Sequence, residues 1–127
     1  MRRALILIIS LSLLSFGCGF WLDHLRFRTA DEYLQQAEAI RLLAQKERWQ
    51  EALKQERLVC AHWEQDERWL KCLIEHHHSR AVDTAFLQLD TALVNQWMDE
   101  ALPALDELHM ALTEIREDHL PAFNHIL

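Results

Sequence analysis

Glycine and proline are nearly missing from this 127-residue chain. There are two of each: Gly17 and Gly19 inside one apolar run, Pro103 and Pro121 far downstream. No glycine is left to build a phosphate-cradling loop. With so few breakers and abundant Ala, Leu, Glu, Gln and Arg, the chain should form long helices with short connections. Cysteine is also sparse, and Cys18, Cys60 and Cys72 form no Cys-x-x-Cys pair, which excludes a thioredoxin-like redox motif. Positive charge is scarce outside the N-terminus. Setting aside Arg2 and Arg3 among the 13 Lys and Arg leaves 11 basic against 20 acidic residues, a formal charge of −9 for residues 23–127. Such a surface repels phosphate backbones, so nucleic acid is excluded as a partner class. Ser79 adjoins a histidine cluster, but successive helix residues diverge and no oxyanion-hole loop accompanies it. With no nucleophile–base pair in place, the sequence points away from an enzyme.

What is present begins with 19 uncharged residues from Ala4 to Leu22, preceded by Arg2 and Arg3. As a helix this run extends ~28 Å, close to the ~30 Å hydrocarbon thickness of a bilayer. It exceeds the length usual for a signal-peptide core, so residues 1–22 read as an uncleaved signal anchor, with the membrane contacted through residues 4–22. The two arginines place the N-terminus in the cytoplasm and residues 23–127 outside the cell membrane, although Arg26 and Arg28 reduce the asymmetry. Two alternatives stay open: a signal cleaved after the small residues Ser15 and Gly17, and a lipoprotein acylated at Cys18, whose usual Leu three places earlier is here Ser15.

Beyond the anchor, Ala30, Tyr33, Leu34, Ala37, Ile40 and Leu43–Ala44 recur at three and four, the period of a one-faced helix. The predicted elements are a nearly continuous helix over 4–46, then helices over 49–64, 68–95 and 100–116, joined by polar turns at 45–48, 65–67 and 96–99. Asp99 is placed to cap the last helix and Pro103 to lie in its first turn. The fold class is therefore all-α: an N-terminal transmembrane helix continuing into an antiparallel bundle of about four helices, arranged as two helical hairpins. Trp49-Gln50-Glu51-Ala52-Leu53 echoes Met98-Asp99-Glu100-Ala101-Leu102 at an offset of 49 residues. Each opens a returning helix. Either the hairpins are related, or Glu-Ala-Leu is simply common in helices.

The chain also resembles a family of short membrane-anchored helical proteins of spore-forming Gram-positive bacteria, catalogued as domain of unknown function 4363. The similarity rests on the anchor, Thr29-Ala30-Asp31, and Glu47-Arg48-Trp49-Gln50-Glu51-Ala52-Leu53. It continues through His62-Trp63-Glu64, Trp69-Leu70, Leu73-Ile74-Glu75-His76 and the closing Asn124-His125-Ile126-Leu127. The chain departs from the family in His77-His78 and Pro103. The resemblance implies no activity, cofactor or catalytic residue.

Three groups of residues stand out as candidate sites. Glu75, His76 and His78 fall in one run, and Glu75 and His78 would share a helix face, as in the Glu-x-x-His pairs of di-iron bundles. No second Glu-x-x-His occurs, so a simple zinc or copper site is the better-founded metal reading, with His62 and His109 as possible neighbours from adjacent helices. Cys60 and Cys72 are equidistant from Asp66, so a hairpin turning there would bring them level as a disulfide candidate. Trp63 and Trp69 would flank the same turn at the distal end, exposed as an interaction candidate. The function expected is a non-enzymatic binding or scaffolding module of the cell envelope with a protein partner. The alternative is a metal-binding or metal-sensing domain built on the histidine cluster.

Overall fold

The computed structural model describes residues 2–72 and 74–117. Leu73, Pro121 and the 124–127 motif lie outside the described residues. Four helices follow one another: α1 (Arg2–Gln45), α2 (Trp49–Leu70), α3 (His76–Val94) and α4 (Met98–Glu117). Helix α1 packs against α2 and α4, and α3 packs against the same two. Cross-helix bonds fix the directions. Tyr33 on α1 meets Asp66 on α2 and Arg57 on α2 meets Asp90 on α3, while Arg41 and Arg116 pair α1 with α4 through Asp106 and Asp31. Along α1 and α4 the pairs run in opposite senses, Asp31 with Arg116 and Arg41 with Asp106, and short turns join each helix to the next. The result is an up-down-up-down bundle in which sequence neighbours are spatial neighbours.

Helix α1 divides into two halves with different surroundings. From Tyr33 to Ala44 its inner positions Tyr33, Ala37, Ile40 and Ala44 are buried in the core. Upstream, Leu5 to Phe16 and Phe20–Trp21 stand exposed, and the apolar window of the helix has none of its residues covered by protein. This half is long and apolar enough to cross a membrane. Arg26 marks the transition: its side chain is buried at the mouth of the bundle and pairs with Asp23.

The turns at either end of the far side are made the same way. After α1, Glu47 adopts a left-handed conformation (φ 59°), its N–H donates to the Ala44 carbonyl, and the Arg48 N–H donates to Leu43. After α3, Gln96 does likewise (φ 57°), donating to Leu93, and the Trp97 N–H donates to Ala92. Both are Schellman turns, which satisfy the last carbonyls of a helix by a 6→1 and a 5→2 bond. Glycine normally fills the left-handed position, and two polar residues fill it here.

The offset of 49 residues extends well beyond these turns. Ala30, Tyr33, Ala37, Ile40 and Ala44 match Ser79, Val82, Phe86, Leu89 and Leu93, and all are buried. On the returning helices Ala52, Glu56, Val59 and Trp63 match Ala101, Leu105, Leu108 and Leu112, again all buried. The domain is thus two hairpins of one design, and the Glu-Ala-Leu echo belongs to a repeated geometry.

The middle turn corrects the expectation. Helix α2 does not stop at Glu64 but runs on to Leu70, where the Lys71 and Ile74 N–H groups donate to the Glu67 and Leu70 carbonyls. The polar run Gln65–Glu67 has the composition expected of a turn, yet Asp66 faces inward and accepts from the Tyr33 hydroxyl (2.6 Å) and the Trp69 indole (3.3 Å). With no Gly or Pro in the run, nothing stops the helix there. Helix α3 accordingly begins at His76, not near Arg68. Asp99 is not the cap of α4 but lies in its first turn, where its charge still favours the helix dipole. The Trp97 carbonyl accepts from Ala101, which makes Trp97 the capping position and puts Pro103 in the second turn.

Candidate functional site

The up-down order places the α2–α3 turn at the end of the bundle from which the apolar half of α1 emerges. Arg116 near the end of α4 reaches Asp31 (3.4 Å) and lies over the Phe27 ring (5.7 Å), marking the same end. The histidine cluster is therefore beside the apolar stem. Glu75 precedes α3 in an extended conformation (ψ 146°), with its carbonyl accepting from the His78 N–H. Because Glu75 is not helical, it does not share a helical face with His78 in the expected way. Its carboxylate instead lies 3.1 Å from Nδ1 of His77.

Donor atoms of Glu75, His77 and His78 all fall within 4.8 Å of one another. The His77 and His78 rings are tilted together with centroids 4.0 Å apart, and His78 Nδ1 lies 3.4 Å from Glu114 on α4. His78 is buried, while Glu75 and His77 are exposed. A carboxylate and two imidazoles at a helix start form a donor set suited to zinc or copper. His76, expected among the ligands, is exposed and outside the group, and His77 takes its place. His62 and His109 sit exposed on α2 and α4 and do not join it.

The other two candidates are corrected. Cys60 lies within α2 and Cys72 just beyond its end, and both are free. Twelve residues along one helix axis separate them by ~18 Å, far beyond the ~7 Å a disulfide allows between Cα atoms. Trp63 is not exposed: it is 1% accessible, stands edge-on to Tyr33 (5.5 Å, 87°), and donates its indole N–H to Asp83 at 2.8 Å. Trp69 is half-buried against Asp66. Neither forms a distal contact surface, because the turn they were thought to flank does not exist and the real one is at the near end.

The largest departure from expectation is an acidic network between α2 and α3 with one buried member. Glu56 is 1% exposed. Burial, then the facing carboxyl of Asp90, pushes its pKa up to about 8, against a smaller opposite pull from Arg57. One level along, burial and a hydrogen bond with Glu67 push Asp83 up to about 6, opposed by the Trp63 indole. Burial alone would raise Glu67 too, but Asp83, Lys71 and Ser79 outweigh it and hold it below the ordinary carboxylate value. The pair's proton therefore rests on the Asp83 side. Burial, with Glu56 and Glu64 nearby, pushes the Cys60 thiol up to about 11 and keeps it protonated. Glu56 was readable in one respect only: it interrupts the stripe Ala52, Val59, Trp63 at a core position.

A four-helix bundle with one half-helix of bare apolar surface defines the class of protein. Within that class, a family model described as "Domain of unknown function (DUF4363)" matches residues 20–126, and the chain belongs to that family. No curated protein and no solved structure matches it.

Proposed function

We propose that the chain is a single-pass membrane protein with a cytoplasmic N-terminus. In this reading residues 23–127 form a non-enzymatic module on the outer side of the cell membrane that binds or scaffolds another envelope protein. The observation that carries the reading is the bare apolar half of α1, continuous with the bundle. A rigid helical connection fixes the module close to the lipid surface, which suits lateral contact with another membrane protein. Native mass spectrometry of the full-length protein, gently extracted from membranes, tests it. The expected result is an intact chain accompanied by a stoichiometric protein partner. A bare monomer under every extraction condition, or a processed chain released from the membrane, contradicts it.

A second reading, metal binding or sensing, is favoured by one specific observation: the convergence of Glu75, His77 and His78 donors within 4.8 Å. In the same spectra it would appear as bound zinc or copper lost on His77→Ala and His78→Ala but retained on His76→Ala.

A further inference from the structure

An open groove of about 550 Å³ runs between α2 and α3, walled by Glu56, Cys60, Glu64, Glu67, Asp83 and Asp90. Its charge is almost wholly of one sign. One cation, Arg57, lines it and lies 3.2 Å from Asp90; Lys71, outside the lining, lies 3.2 Å from Glu67. Glu64 is exposed in its wall.

Acidic walls alone would be an ordinary solvated surface, but Glu56 is not at the surface. It is almost wholly enclosed, its Oε2 has no donor within reach, and the group it faces is another carboxyl. Two facing acceptors require a proton or a cation between them. Packing does not demand the residue, since the matching position of the second hairpin is filled by Leu105.

The arrangement also indicates which cation. Among the described residues, no three donors of the groove converge within 4.8 Å as those of Glu75, His77 and His78 do. A single metal ion is therefore poorly served. The carboxyls are strung out instead, from Glu56 to Glu67 over ~16 Å of helix. Between them lies apolar surface, Ala61 and Leu87. The volume falls within the ~300–1,000 Å³ of small-molecule sites.

We propose that this groove binds a linear aliphatic oligoamine. One ammonium group sits at Glu56 and Asp90, another at Glu64, Glu67 and Asp83, and the methylene chain lies over Ala61 and Leu87. The ammonium displaces the proton held at Glu56 into solvent; charge-assisted bonds to the carboxylate so formed supply the affinity, and the spacing supplies the selectivity.

Isothermal titration of spermidine into the full-length protein, in nanodiscs of zwitterionic lipid, tests the proposal. Saturable one-to-one binding is expected. It should weaken by at least about tenfold in Glu56→Leu and in the near-isosteric Asp90→Asn, and stay unchanged in His77→Ala. Absence of saturation, equal binding by Glu56→Leu and Asp90→Asn, or tighter saturable binding of magnesium at the same residues would each overturn it.

Discussion

The two hairpins share one backbone plan and fill it differently. At matching positions the first carries Tyr33, Glu56 and Trp63 where the second carries Val82, Leu105 and Leu112. At these three positions the second hairpin is aliphatic. The first buries three groups that each need a polar partner: Tyr33 donates to Asp66, Trp63 donates to Asp83, and Glu56 shares its environment with Asp90. The polar partners come from α2 and α3, so the interface between the hairpins is where the acidic network collects. The difference teaches that the repeated geometry needs only volume at these positions. The polar chemistry of the first hairpin is an addition to it.

The comparison is broken most severely at Trp63. Trp63→Ala removes a fully buried indole, its edge contact with Tyr33 and its bond to Asp83. It should cost about 4 kcal/mol in chemical denaturation of the full-length protein. Trp63→Leu, which copies Leu112, should cost clearly less.

Next comes Glu56. Its folded pKa is raised from 4.5 to about 8, so between those values the folded state holds a proton that the unfolded state has lost. Stability should therefore fall as pH rises through this window, by on the order of 3 kcal/mol, and the contribution of Glu56 should be level outside it. Asp83, raised from 3.8 to about 6, adds in the same direction at lower pH, while Glu67 acts oppositely. Glu56→Leu, which copies Leu105, should flatten most of the slope and stabilise the protein more at pH 8 than at pH 5. Thermal melts of both proteins across pH 4–9 decide this.

Tyr33→Phe removes a hydroxyl that donates to Asp66 at 2.6 Å and should cost about 1 kcal/mol. The smallest effects sharpen the likeness. Glu47→Gly and Gln96→Gly each relieve a left-handed non-glycine residue in a Schellman turn and should each stabilise by about 0.5 kcal/mol. Clearly unequal gains would count against a shared turn geometry.

The distant ends of the hairpins were legible in the chain because chemistry and geometry agree there. The apolar stripe of α1 stops at Ala44 and that of α3 at Leu93, and each helix that follows opens with a Glu-Ala-Leu step. The near turn was misread because Asp66 and Glu67 have side chains usual in turns, while their inward orientation depends on Tyr33, Trp69 and Asp83, distant or not yet placed when the chain is read alone. The same misplacement produced the Cys60–Cys72 pairing and the exposed Trp63–Trp69 pair. It also exchanged His76 for His77, since only the extended Glu75 ahead of α3 turns its carboxylate toward His77. Glu56 and Asp90 escaped notice because a helical glutamate is ordinarily solvated, and only the closed ring of helices encloses this one.

The central claim is that the bundle stands outside the membrane on an uncleaved apolar stem. Cys72 is exposed at the near turn, Cys18 lies in the apolar half of α1, and Cys60 is half-buried. In a Cys18→Ser, Cys60→Ser background, a membrane-impermeant maleimide applied to intact cells should label Cys72, on a chain whose mass shows the N-terminal segment retained. Labelling only after lysis, or a labelled chain lacking that segment, would contradict the account.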